Sequence, residues 1–200
     1  MKAFLRCMPA AIWAAFAVCL VGCHPGESAP GTPAFSVTEI QAYEQQAARG
    51  ESEAEFMLGL VSQQGLGKPV DPQKAVEWFA RAGNRGHARA QVALGVMLRS
   101  GDGVPADPPK AAEWFLKAAQ LDSREAQFYL AEMSRDGQGV PKDPVQALMW
   151  FQLADHGARH IKEASIAANA LKPSMTRDQI DEATRRAAAF RPATNEPAPR

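Results

Sequence analysis

One spacing constrains this chain more than any other feature, a step of 36 residues. Trp78, Trp114 and Trp150 stand 36 apart, each followed by a phenylalanine, Phe79, Phe115 or Phe151. The same step carries Gly65 to Gly101 to Gly137, Pro69 to Pro105 to Pro141, Asp71 to Asp107 to Asp143 and Ala75 to Ala111 to Ala147. Leu58, Leu94 and Leu130 keep it too, followed by Gly59, Gly95 and Ala131. A fixed period of this length marks a unit too small to bury its own apolar face, which becomes stable by stacking on copies of itself. Three copies run at about 53–87, 88–123 and 124–160.

Each copy decodes as two helices. Ala54, Leu58 and Val61 recur at helical spacing, as do Ala90, Leu94 and Met97, then Ala126, Leu130 and Met133. The glycines at 65, 101 and 137 stop this first helix in the left-handed position past a helix end. The chain then reaches Asp71-Pro72, Asp107-Pro108 or Asp143-Pro144. Aspartate is a favoured N-cap and proline a favoured first helical residue, so a second helix starts there. Its Trp-Phe pair fills gaps between neighbours, and the small Ala and Gly positions let helices approach closely.

The flanks complete the array. Ser36 and Glu39 form a capping box, with Phe35 placed to pack on Ile40. Arg49 and Gly50 stand 36 before Arg85 and Gly86, so 36–49 reads as a half repeat capping the N-terminal end. Residues 160–171 read as a fourth first-helix stopping before Pro173. A polar terminal helix follows from the capping residues Thr176 and Gln179 to about 190. The whole predicts an all-α domain over 35–190, with a flexible tail at 191–200.

Residues 1–22 have another character. Lys2 and Arg6 precede an uncharged, mostly apolar run from Cys7 to Val21, the layout of an export signal and shorter than a membrane span. The run ends Leu20-Val21-Gly22-Cys23, which resembles the bacterial lipobox. That resemblance implies a lipid on the Cys23 sulfur, cleavage before Cys23 and a membrane anchor. Several acyl chains hold far more firmly than one, since each buried CH₂ contributes about 0.8 kcal/mol. Residues 23–34 are rich in Pro and Gly and read as a flexible spacer. His24, where an aspartate would direct retention, points to the periplasmic face of an outer membrane, in the cell envelope. Cys7 and Cys19 leave with the signal and Cys23 is blocked, so the mature chain has no thiol free for a disulfide.

The run Ala-x3-Leu-Gly, Gly-x-Gly-Val-Pro-x-Asp, Lys-Ala-x2-Trp-Phe-x2-Ala-Ala, best kept from Leu94 to Ala119, resembles the Sel-one-like repeat (SLR) family, relatives of the tetratricopeptide repeat. The resemblance covers about 54–160. It departs where the family usually carries an aromatic, at Ser62, Leu98 and Ser134, and at Lys68-Pro69-Val70 in the first copy. It implies a right-handed α/α-hairpin solenoid whose concave wall is built from the first helices, and an adaptor that binds protein or peptide partners. A cysteine-rich subgroup resembles β-lactamases and is stapled by disulfides, which implies an envelope hydrolase as the alternative; the cysteine-poor mature chain fits that subgroup badly. A passive structural spacer is a third reading.

If Ala54, Leu58 and Val61 face the core, then Glu53, Phe56, Leu60 and Gln63 share another stripe. Its repeats are Arg89, Val92, Val96 and Arg99, then Glu125, Phe128, Glu132 and Arg135. Each mixes apolar and polar groups, as a peptide-binding groove does. Arg99 and Arg135 are placed to pair with acidic groups of a ligand. The competing view has Phe56, Val92 and Phe128 packing between hairpins under a solvated charged face.

Other chemistries find little support. Charges balance at 22 and 22, without the basic surplus of a nucleic-acid binder. Gly65-Leu66-Gly67-Lys68 lacks the Ser or Thr and the preceding strand of a phosphate loop. His156 and His160 lie four apart with Gly157 between them and no further ligand nearby, so no metal site is expected. No Gly-x-Ser-x-Gly nucleophile motif occurs and no carboxylate pair stands out, so neither a cofactor nor catalysis is expected.

Overall fold

The computed structural model describes residues 35–156 and 161–193. The expected signal, Cys23, the 23–34 linker and residues 194–200 lie outside the described residues. Every regular element among those described is helical. Three hairpins pair α2 (Ser52–Gln64) with α3 (Pro72–Asn84), α4 (Ala88–Ser100) with α5 (Pro108–Gln120), and α6 (Arg124–Asp136) with α7 (Pro144–Asp155). Each second helix also packs on the first helix of the next unit, α3 on α4, α5 on α6 and α7 on α8 (Lys162–Leu171). Helix α1 (Val37–Ala48) takes the place of a second helix in front of α2, the half repeat expected there. The all-α hairpin solenoid expected from the period is the fold observed.

The boundaries follow from local chemistry. Gly65, Gly101 and Gly137 close α2, α4 and α6 at φ 71°, 73° and 75°, where a Cβ is penalised. The N–H groups of Asp71, Asp107 and Asp143 then donate to the carbonyls of Ser62, Leu98 and Ser134 at 2.7–2.9 Å, tying each turn back to the helix it left. The same aspartates cap α3, α5 and α7. Asp143 Oδ1 accepts from the N–H groups of Val145 and Gln146 at 2.8 and 3.1 Å. Ser36 and Glu39 form the expected capping box on α1, while Phe35 packs edge-on against Tyr43.

The interior is repeated as the turns are. Phe79, Phe115 and Phe151 are fully buried. Each such ring contributes about 1.5–3 kcal/mol by leaving water. Phe115 lies so close to α4 that a Cβ on Gly95 would sit 2.6 Å from its ring, and Phe79 faces Gly59 in the same way. This is the physical content of the Leu-Gly dipeptide. The tryptophans split. Trp150 is 3% exposed and meets Phe190 edge-on at 5.3 Å. Trp78 and Trp114 are half-buried beneath Arg81 and Lys117, whose charges lie 4.4 and 4.0 Å from the ring centroids. The gap-filling expected of the tryptophans is complete only at Trp150: where Leu153 replaces the cation, the C-terminal Phe190 supplies the cover.

The C-terminal end departs from the period. Helix α8 buries Ala164 and Ala168, 38 residues after Ala126 and Leu130 instead of 36. The N–H of Ile161 bonds the Ala154 carbonyl, as Ser123 does Ala118 and His87 does Ala82, so the connection before α8 holds two extra residues. Beyond a short 3₁₀ turn (Lys172–Ser174), α9 (Arg177–Ala189) packs chiefly on α7. The N–H of Ala193 then reaches the Gln120 carbonyl at the end of α5 at 2.6 Å. The face of α8 where another hairpin would dock carries Ser165, Asn169 and Lys172, a polar surface that ends the stack.

Candidate functional site

The face shared by α2, α4 and α6 is where the expected stripe falls, and its rows differ in exposure. Arg89 and Glu125 are exposed, and Glu125 accepts from Ser123 Oγ at 3.1 Å. Leu60, Gln63, Val92, Val96 and Phe128 are all half-buried, and the apolar ones pack against the interior. Phe128 lies 5.8 Å from Phe151 and 6.2 Å from Tyr129.

Phe56 follows the competing view of packing between hairpins and not the groove view. It is 4% exposed, packs 5.8 Å from Phe79 and is roofed by the next repeat. The His87 ring stacks on it at 4.7 Å, and the Arg89 guanidinium lies 4.6 Å above its ring. Glu53 joins the group, 2.8 Å from His87 Nε2 and 3.9 Å from Arg89. A partner cannot touch Phe56 without displacing these residues.

The arginines meant for a ligand already have partners. Arg99 Nη1 bonds Glu132 Oε2 at 3.0 Å, with its guanidinium 4.5 Å over the Tyr129 ring. This pair bridges α4 and α6, and both side chains are about three-quarters covered. Arg135 holds Asp136 through two bonds of 2.8 Å. That contact pushes the guanidinium further up and holds the Asp136 carboxyl below its ordinary range. An acidic ligand group must compete with these carboxylates, so the stripe offers exchangeable ion pairs and not bare cations.

Beneath the stripe runs a line of buried polar residues at the same step, Glu55, Gln91 and Gln127. Gln91 Nε2 donates to the Gly83 carbonyl at 2.7 Å. The Glu55 carboxylate is fully buried, with Arg81 and Arg85 at 3.1 and 3.2 Å. Neither approach is an aligned hydrogen bond, so Coulomb attraction from two half-exposed cations offsets its burial.

Three contributors escaped the sequence reading. Tyr129 supports Arg99, His87 covers Phe56, and Ile166 extends the stripe onto α8 with 62% exposure. Ile166 stands 38 residues after Phe128, so a strict step of 36 passes over it. Among the described residues no three His, Cys, Asp or Glu gather as a metal site, and His160 lies outside them. No described helix is long and apolar enough to cross a membrane.

A stack of α/α-hairpins with a shared interior and one continuous helix face is a repeat solenoid, a class that works by presenting surface. The Sel1 repeat model matches residues 52–87, 88–123 and 124–154. The chain belongs to the Sel1 repeat family. Among solved structures it is similar to a Sel1 repeat protein from Oxalobacter formigenes, at 28% identity and TM-score 0.59, over 67% of this chain and 99% of that one. It is also similar to a protective antigen with an SLR fold from uropathogenic Escherichia coli, at 26% identity and TM-score 0.56, over 74% of this chain and 39% of that one. A third likeness is the Helicobacter pylori cysteine rich protein B, at 25% identity and TM-score 0.51, over 65% and 92% of the two chains. No curated protein matches the chain. The cysteines of this chain, at 7, 19 and 23, all precede the described helices.

Proposed function

We propose that this chain is a lipid-anchored adaptor of the cell envelope that binds a protein or peptide partner along the α2, α4 and α6 face. The observation that carries the reading is the continuity of the stripe: Leu60 and Val96 half-buried in line, Ile166 open at the end, and ion pairs along the edges. Sel1 repeat proteins mediate protein–protein interaction. A partner with an apolar ridge flanked by charges suits this surface, because the ridge covers the aliphatic positions while its charges exchange with Glu53–Arg89 and Arg99–Glu132. No nucleic acid is expected as partner.

The anchor is the second part of the reading. The basic start, the apolar run and Leu20-Val21-Gly22-Cys23 support lipid attachment at Cys23, and His24 supports the periplasmic face of an outer membrane. The 23–34 spacer would then hold the array off the lipid surface.

Two experiments test the two parts separately. Affinity capture from envelope extract with the full chain should retain a partner that is lost, by tenfold or more, on Arg99→Glu with Arg135→Glu in a protein that still folds. Retention unchanged by the double substitution would contradict the stripe. Cys23→Ser should release the protein from the membrane fraction; continued membrane retention would contradict the lipid anchor.

A further inference from the structure

Residues 51, 87 and 123 occupy one position in successive units, the N-caps of α2, α4 and α6, and each solves the capping problem differently. Glu51 makes no side-chain cap. Ser123 accepts the Ala126 N–H on its hydroxyl at 3.3 Å. At 87 the acceptor is an imidazole: His87 Nδ1 accepts the Ala90 N–H at 3.1 Å. A ring nitrogen accepts only while it carries no proton. The proton of the neutral ring is therefore on Nε2, which donates to Glu53 Oε2 at 2.8 Å. The stack on Phe56 fixes the ring plane in this arrangement.

A second proton has one place to go, Nδ1, and there it faces the Ala90 N–H. Two donors then oppose each other and α4 loses its side-chain cap. The charged groups that face the ring are Glu53, on α2, whose side chain is two-thirds in water, and Arg89, in the first turn of α4, whose guanidinium lies beside the same carboxylate. Arg85, on the turn from α3, is occupied by Glu55.

We propose that His87 makes the junction between the first and second hairpins sensitive to pH: proton uptake by its ring breaks the cap of α4 and lifts the cover from Phe56. Imidazole is the side chain that changes charge between about pH 5 and 8. The next junction, capped by the Ser123 hydroxyl, has no such group and stays closed. Acidification thus loosens one joint of the array and uncovers an aromatic ring at one end of the candidate stripe. The joint opens whether or not a partner binds the stripe, so this inference and the proposed function fail independently.

Hydrogen–deuterium exchange on the full chain tests it, with peptides covering 88–94 and 124–130 compared in the same sample and corrected for the intrinsic pH dependence of exchange. Between pH 7.5 and 5.5 protection at 88–94 should fall about fivefold relative to 124–130, the equilibrium worth of one capping bond. His87→Ser, which copies the Ser123 cap, should abolish the fall, and His87→Asn serves as a second non-titrating cap. Constant protection at 88–94 in the parent chain, or an equal fall in the serine or asparagine variant, would overturn the proposal.

Discussion

Gly95 shows how a single atom sets the spacing of a hairpin. Its helix comes so near the Phe115 ring that an added Cβ would stand 2.6 Å away, while the ring is fully buried and has nowhere to move. In the third unit Ala131 occupies the same position opposite Phe151 and is fully buried, so that hairpin accommodates one carbon more. Gly95→Val should therefore destabilise the protein by about 1–3 kcal/mol through overpacking, even though valine is the better helix former. Denaturant unfolding measures this, and a midpoint unchanged from the parent would contradict the packing described. At the same scale the sequence left Phe56 open between the groove and packing between hairpins. Its place on the stripe was legible from the 3-and-4 spacing along α2. The choice between the two was not, because the covering groups, His87 and Arg89, stand far along the chain at the junction with the next unit. Likewise the spacing placed Arg99 on the correct face but could not reveal Glu132, one repeat away, at 3.0 Å.

Helices here are delimited by capping side chains, and those carry a pH dependence. The Lys74 backbone N–H holds the Asp71 carboxyl below its ordinary range. Lys110 does the same for Asp107, through its side chain and its N–H. The Ser36 N–H lowers Glu39, and Arg185 and Arg186 lower Glu182. A carboxyl depressed in the folded state stabilises it above the unfolded carboxylate range, near pH 4, and the contribution is lost as pH falls through the depressed values. The thermal midpoint should thus drop from pH 4 to 3 as these carboxyls take up protons; a flat profile over that step would contradict this. Asp143→Ala, which removes two cap bonds from α7, should cost about 1 kcal/mol at neutral pH.

The same signals explain which elements the sequence disclosed. Helices α2 to α7 were legible because glycine, aspartate and proline mark the turn inside every hairpin. Helix α8 was legible as a fourth first helix, but it starts at Lys162 with no side-chain cap from Ile161, after two inserted residues, so its departure from the step of 36 was not. The docking of α9 on α7 includes Phe190, just past α9, meeting Trp150, a contact between residues forty apart that no local pattern announces.

At the level of the whole molecule, the array works as one wall. Its second helices interlock with the following first helices, the ends are closed by α1 and by the polar face of α8, and Phe190 and Ala193 tie the last segment to α7 and α5. The recognition surface we propose is the stripe through Leu60, Val96 and Ile166 with its bridging ion pairs. A photo-crosslinking residue placed at Val96 on that stripe, compared in cells with one at Leu116 on the exposed side of α5, tests this most directly. The account predicts a discrete partner adduct from position 96 and none from 116; adducts from 116 alone, or equally from both, would contradict it.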